Sequence, residues 1–381
     1  MIKRGLVLLL LFTNILSGMF FYVQPTEAAQ PEVGAEAAVL MDVKTGRVLY
    51  EKNPHLRRPM ASTTKITTGL LTLEKAKLTD QVYISELAAL TGESSIWLEQ
   101  GEKLTIEQLL YALMLYSAND AAVALAEKVG GTEENFVKMM NDKARELGAV
   151  DTHYVNPHGL YDPQHYSTAY DLALLARYGM EKVPMFKTVT STWRHQIPWA
   201  GHPWERVLYN RNKLLKQYPG ADGVKTGYTK EAGRCLVGSA TRNGQQLVAV
   251  VLDSPDMFKE VAALLDYGFA NYSLKKVVNE GQFLQDIPVR DGLRVRVGTV
   301  VSRGATLSLR ADELKGLRTE IQLIKSLDAP VHKGQKLGKI NMFIQGKKVQ
   351  EVDILAADDV VRKSKWSLFW ERVAAWFKGL F

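Results

Sequence analysis

Hydrophobic and polar positions along this chain fall into blocks whose period changes several times. Residues 37–42 are apolar up to an aspartate and read as a strand, Lys44-Thr45-Gly46 is a turn, and 47–50 returns as a second strand. The run 66–76, just after Ser62, has the apolar spacing of a helix whose first turn would hold Ser62. A polar stretch from 78 to 101 is expected as short elements and loops. Thr105-Ile106-Glu107-Gln108 fits a capping box and opens an apolar helix over 109–115, too short to cross a membrane. Residues 116–120 then turn a tight corner, with Asn119 suited to an N-cap, into a second helix over 121–129 closed by Gly130-Gly131. Helices follow over 133–147 and, capped at 168–171, over 172–178, and residues 182–218 are mixed, with hairpin character. Gly223 and Gly227 bracket a short strand, the runs 234–240 and 247–252 pair through Asn243-Gly244, and a helix over 258–267 completes this part.

From about residue 274 the texture changes. Short alternating runs such as 293–297 and 320–324 are separated by turn signals at Asp291-Gly292, Arg303-Gly304 and His332-Lys333-Gly334. They indicate a small all-β domain, sandwich or barrel-like, ending near 354. Farther on, Trp366, Phe369, Trp370, Val373, Trp376, Phe377 and Leu380 recur at helical spacing among Arg362, Lys363, Lys365, Arg372 and Lys378. An aromatic face with basic flanks, too short and too charged to span, is the pattern of a helix lying in the membrane interface.

Composition adds little to this picture except at the N-terminus. The chain has 381 residues and a net charge of +7, with the positive charges spread rather than blocked. That gives no nucleic-acid footprint, only a bias toward anionic surfaces such as cell wall or membrane. Lys3 and Arg4, an apolar stretch over 5–23 and the small residues Ala28-Ala29 that end Pro25-Thr26-Glu27-Ala28-Ala29 read as a secretory signal cleaved near Ala28, rather than as an uncleaved membrane anchor, and either reading places the folded part outside the cytoplasm. The single cysteine, Cys235, excludes an internal disulfide and falls in a strand-like run, where it reads as a small buried hydrophobe. His153, His158 and His165 share a turn-rich loop at spacings that fit no common zinc motif.

The chemistry starts at Ser62-Thr63-Thr64-Lys65. A serine hydroxyl needs a base within hydrogen-bond reach, and a lysine one turn on serves if burial or neighbouring cations lower its pKa. The tetrapeptide pattern is common, and a second copy at Ser273-Leu274-Lys275-Lys276 reads as solvated surface. Ser117 and Asn119 place polar side chains on the helix corner, where they must find partners. Gly223 and Gly227 let a ligand approach the strand backbone, and Lys225 with Thr226 offers a cation and a hydroxyl suited to a carboxylate. Another Lys-Thr-Gly, at residues 44–46, precedes Ser62 on a turn and reads as a decoy.

In this order and these settings, Ser62-x-x-Lys65, Ser117-x-Asn119 and Lys225-Thr226-Gly227 match the motif set of β-lactamases and penicillin-binding proteins, with Ser117-Ala118-Asn119 standing where S-D-N is usual. Over residues 35–272 the chain resembles the low-molecular-weight penicillin-binding proteins, the serine-type D-alanyl-D-alanine carboxypeptidases, most closely those of spore-forming bacteria. Arg57-Arg58, Asp120-Ala121-Ala122, Asn156-Pro157-His158-Gly159-Leu160 and Asp222-Gly223-Val224 beside the motifs carry the same likeness. The resemblance implies an α+β fold: a signal peptide (1–28), a β-lactamase/transpeptidase-like D,D-peptidase domain of antiparallel sheet and helices (30–272), a small all-β domain (274–358) and an amphipathic membrane-anchoring helix (362–381).

It also implies the roles. Ser62 is the nucleophile, Lys65 its base and Ser117 a proton relay, while Asn119, Lys225, Thr226 and Gly227 bind substrate and the N–H groups of Ser62 and Tyr228 form the oxyanion hole. The implied substrate is a peptidoglycan stem peptide ending in D-Ala-D-Ala, the inhibitors are β-lactams, and no metal or organic cofactor is needed. The activity would limit cross-linking in cell-wall, and by the likeness to spore formers spore-wall, synthesis at the outer face of the cytoplasmic membrane. Competing readings are a D,D-endopeptidase, which uses the same residues, a β-lactamase, for which no glutamate offers a convincing deacylation base, and a catalytically idle wall-binding protein.

Overall fold

The structure is a computed structural model and describes residues 29–378. The expected signal segment and Leu380 lie outside the described residues.

The organising element is a five-stranded antiparallel sheet in the order Val48–Lys52, Ala37–Asp42, Gln245–Leu252, Gly233–Arg242, Ala221–Thr229. Its central strands are buried on both faces, which is why they read as continuous rather than alternating apolar runs. The alternation survives in where the side chains go. Ala37, Val39 and Met41, with Val248, Val250 and Leu252, join one core, against helices Lys65–Lys75, Asn119–Gly130 and Ala169–Lys182. Ala38 and Leu40, with Leu247, Ala249 and Val251, join the other, against helix Met257–Asn271. A one-residue slip would exchange the two cores, so register is strongly fixed.

Two local features depart from the sequence expectation, and both concern the site. Ser62 is not in the first turn of an α-helix. Residues Ala61–Thr64 form a 3-10 turn that precedes helix Lys65–Lys75. The Thr63 and Thr64 hydroxyls donate to the carbonyls of Met60 (2.7 Å) and Ala61 (2.8 Å), tightening the turn before the α-helix begins. The apolar helix expected over 109–115 is helix Ile106–Tyr111, opened by the Thr105/Gln108 capping box, followed by one π-turn over Ala112–Tyr116. Ser117 then reverses the chain in the left-handed region at φ 68°, and Asn119 is the first helical residue rather than the N-cap, which is Ala118. π-turns concentrate at functional sites.

The second part of the chain is all-β apart from a short helix, Ala311–Lys315. A six-stranded sheet packs with the two-stranded Ser273–Val278/Ala305–Leu309 sheet around two small cores. The 293–297 run is mostly turn rather than strand: Leu293 and Val295 face solvent and the strand starts at Arg296. Arg47, at the first hairpin, reaches across to this domain and donates to both carboxylate oxygens of Glu313 (2.6 and 2.8 Å) and to the Ser308 carbonyl (2.7 Å). The 44–46 turn, the second Lys-Thr-Gly, therefore sits against the β-domain.

Helix Lys365–Lys378 holds Trp366, Phe369, Trp370 and Trp376 in solvent. Among the described residues no helix is long and apolar enough to cross a membrane.

The Arg47→Met variant leaves the nearly buried Glu313 carboxylate without its guanidinium. It is expected to cost about 1–3 kcal/mol, seen as a lower urea midpoint than that of the parent chain.

Candidate active site

Ser62 lies on the 3-10 turn at the floor of a groove of about 1150 Å³, lined also by Ser117, Asn119, Arg211, Thr226, Gly227 and Tyr228. Lys65, fully buried, begins the next helix. Its Nζ is 3.2 Å from Ser62 Oγ, 2.7 Å from Asn119 Oδ1 and 2.6 Å from the His158 carbonyl. This geometry fits a neutral amine. The two oxygens that only accept take its two N–H groups, and the lone pair is left facing the Ser62 hydroxyl. The electrostatics agree: burial, then Lys225, then Arg211 push the Lys65 pKa well below the ordinary lysine range, against a smaller opposing pull from Asp120.

Asn119 is fixed at every polar atom. Its Oδ1 accepts from Lys65, its Nδ2 donates to the Gly92 carbonyl (3.0 Å) and its backbone N–H to the Ser94 carbonyl (2.6 Å). Its neighbour Asp120, buried, accepts from Ser95 Oγ and from the Ile96 and Leu98 N–H groups, so one helix start pins the whole 92–98 loop beside the groove. Ser117 is also buried, and its hydroxyl finds no partner among the described residues. A buried orphan hydroxyl costs stability unless something is meant to meet it.

Lys225, Thr226 and Gly227 lie on Ala221–Thr229, the edge strand of the sheet. Gly227 is required by contact: a Cβ there would stand 2.9 Å from the Met60 carbonyl and 3.1 Å from the Ser62 nitrogen. That places the strand backbone against the N–H of the candidate nucleophile. Lys225 is buried, donates to the Thr226 carbonyl at 3.0 Å, and has its pKa pushed down to about 7 by burial and then by Arg211. Tyr228 projects into solvent, while its backbone continues along the groove. The structure thus brings Ser62, Ser117, Asn119, Thr226, Gly227 and Tyr228 to one groove, with Lys65 and Lys225 in the adjoining interior.

Sequence reasoning missed Arg211. It lines the groove, donates its N–H to the Leu115 carbonyl (3.1 Å) and sets its guanidinium 4.5 Å from the Tyr116 ring centre. Asn210 and Asn212 on either side are buried, and Asn212 donates to the Gly223 carbonyl (2.7 Å), tying this segment to the edge strand. The only signal was an Asn-Arg-Asn run in an otherwise ordinary stretch. The histidines are braces. His165 accepts from the Val155 N–H at Nδ1, which leaves Nε2–H to donate to Thr64 Oγ1 (2.8 Å), and His158 Nδ1 accepts from the Leu160 N–H. Burial holds them at pKa values of about 4 and about 3. Among the described residues no cluster could hold a metal ion. Cys235 is buried with its thiol pushed up to about 12, Lys44-Thr45-Gly46 stands against the β-domain, and Ser273 and Lys276 are exposed on a strand.

Residues 24–256 match the peptidase S11 family model, D-alanyl-D-alanine carboxypeptidase, and residues 272–362 match the C-terminal domain of penicillin-binding protein 5. The chain is similar to D-alanyl-D-alanine carboxypeptidase DacF of Bacillus subtilis, with 36% identity over 89% of this chain and 88% of that protein. It is also similar to DacC of Escherichia coli, with 31% identity over 99% and 97%. Among solved structures, penicillin-binding protein 5 of Haemophilus influenzae superposes with a TM-score of 0.78 at 30% identity, covering 88% of this chain and all of that one.

Two outcomes test the geometry. Gly159 has φ +93°, and a Cβ there would stand 2.0 Å from the Ala61 carbonyl oxygen. Gly159→Ala is expected to cost about 3 kcal/mol or more, read by thermal unfolding, and to displace the Ser62 turn. Arg211→Gln removes a fixed cation that lowers both lysines. With Lys65 as base and Lys225 as a carboxylate-holding cation, a pH profile of kcat/KM is expected to rise with loss of the Lys65 proton and to fall, near 7 in the parent, with loss of the Lys225 charge. Both limbs should move to higher pH in this variant.

Proposed function

The chain belongs to the peptidase S11 family of serine D-alanyl-D-alanine carboxypeptidases, and from that premise we propose that it removes the terminal D-alanine of peptidoglycan stem peptides through an acyl-enzyme on Ser62. The observation that carries the residue assignment is the buried Lys65 amine, with two acceptors for its N–H groups and Ser62 Oγ at its remaining face.

The steps follow from the positions. Ser62 Oγ attacks the carbonyl of the penultimate D-alanine as its proton passes to Lys65 Nζ. The oxyanion forms between the backbone N–H groups of Ser62 and Tyr228, where the edge strand crosses the nucleophile turn. The partnerless Ser117 hydroxyl relays a proton to the leaving amine of the terminal D-alanine. Thr226 Oγ1, the Arg211 guanidinium and the charge of Lys225 hold the terminal carboxylate, a role that explains why Lys225 is kept beside Arg211 although burial and then that cation push its pKa down. Water then releases the acyl group. No metal or organic cofactor enters these steps. β-Lactams present the same carbonyl and carboxylate and acylate Ser62 in the same way.

The chain works outside the cytoplasm, exported by its first 28 residues, and the exposed Trp366, Phe369 and Trp370 of the last helix lie in the membrane interface. The substrate is then met at the outer membrane face during cell-wall synthesis, and the likeness to DacF of a Bacillus supports a role in spore-forming cells.

Intact mass after exposure to a penicillin is expected to show one stable adduct, absent in Ser62→Ala. D-alanine release from free pentapeptide should fall about 10³-fold or more in Lys65→Ala. Rapid drug loss without an adduct would point instead to β-lactam hydrolysis. With anionic vesicles the full chain should sediment, and Trp366→Ser/Trp370→Ser should stay largely in the supernatant.

A further inference from the structure

A second surface, apart from the catalytic groups, is built to be met by something. Trp97 and Trp204 are 63% and 59% exposed. Trp97 stacks nearly parallel on Trp199, ring centres 6.5 Å apart and 11° between planes, and Trp199, His202 and Trp204 continue the row with centre distances of 4.3 and 5.4 Å. These rings come from two segments, residues 92–98 and the tip of the hairpin Arg194–Ile197/Arg206–Tyr209. Exposing so much contiguous aromatic surface is unfavourable unless it is used.

The platform is held rigid at some cost. Trp97 sits at φ 57°, a conformation that a bulky side chain rarely adopts. Beneath the rings Arg206 is buried with Glu102 in a two-pronged ion pair (2.6 and 2.9 Å). The same guanidinium donates to the carbonyls of Ile96 (2.8 Å), Trp97 (2.9 Å) and Pro198 (3.0 Å) and lies 4.8 Å from the Trp199 ring centre. One buried cation therefore fixes both tryptophan-bearing segments.

Resting on the carboxypeptidase reading above, we propose that this platform binds the N-acetylated hexosamine chain to which the stem peptide is attached. Two observations choose that occupant. The platform is continuous with the groove: Glu93 and Ser94 line the groove and Trp97 follows three residues later, at most about 10 Å of chain. A stem peptide laid along the Glu93–Ser94 wall of the groove would bring its sugar chain to this neighbourhood. The second observation is charge. Residues 93–99 and 198–205 contain Glu93, Glu99 and Glu205 and no lysine or arginine, and the one cation below the rings is buried. That disfavours an anionic membrane or wall polymer, which basic flanks would attract. It suits uncharged pyranose rings, whose C–H faces lie on indoles while His202 and Glu99, 3.6 Å apart at the rim, meet hydroxyl and acetamido groups.

The test uses the full chain and two substrates, a free stem pentapeptide and the same peptide on an N-acetylhexosamine tetrasaccharide. Trp97→Ala/Trp204→Ala should lose about tenfold in kcat/KM on the sugar-linked peptide, through KM, with the free peptide and the penicillin acylation rate unchanged. Equal loss on both substrates, or loss on neither, would overturn the proposal. So would loss of vesicle binding with sugar-linked rates intact. If the parent chain releases D-alanine from neither substrate, the carboxypeptidase reading fails by itself. Tryptophan fluorescence with peptide-free glycan strands then decides the platform: saturable quenching in the parent and none in the variant supports it, and no quenching in either sinks it.

Discussion

The structure depends on one buried amine. A lysine withdrawn from water either loses its proton or is matched by charge, and at Lys65 no carboxylate among the described residues touches Nζ. Its polar neighbours are a serine hydroxyl, an amide oxygen and a backbone carbonyl, which together suit a neutral amine. Those three oxygens come from three separated parts of the chain. Holding them within hydrogen-bond distance of one nitrogen is the task that the helix corner, the 158 loop and the 3-10 turn share. The two further cations, Lys225 and Arg211, lower the amine's proton affinity without touching it.

Backbone approach sets the second constraint. The Ser62 turn is wedged between Gly227 on the edge strand and Gly159 on the histidine loop, each too close to residues 60–62 for a side chain to fit. Thr64 completes the wedge by donating to Ala61 while accepting from His165. The buried His158 and His165, whose pKa values desolvation pushes down, are part of this clamp through hydrogen bonds within their loop and to Thr64. Asp120 performs the same service on the opposite wall by collecting the donors of the 92–98 loop.

The outer parts of the molecule surround this centre with surfaces of different character. The β-domain is tied to the first hairpin by Arg47, on a part of the sheet remote in sequence from the edge strand. The last helix offers aromatics among cations, whereas the exposed rings beside the groove, Trp97 and Trp204, have Glu99 and Glu205 as their charged near neighbours in sequence apart from the buried Arg206. Similar side chains thus stand in different electrostatic settings.

The sequence by itself determined the local elements and the motif residues. Continuous apolar strands, capping at Thr105 and Thr168, the Asn243-Gly244 hairpin and the three short motifs are written in adjacent residues, because hydrogen bonds of one turn or one strand pair decide them. Only the tertiary structure decided that Lys65 is stripped of water, that Arg211 joins the groove, that the Ser117 hydroxyl is left without a partner and that Trp97 meets Trp199. Each of these depends on contacts between residues far apart in the chain, such as Lys65 with Asn119 and His158 or Arg206 with Glu102. The same holds for the 3-10 turn at Ser62 and the π-turn before Ser117, where neighbours pressed into the core override the helical period that the sequence displays.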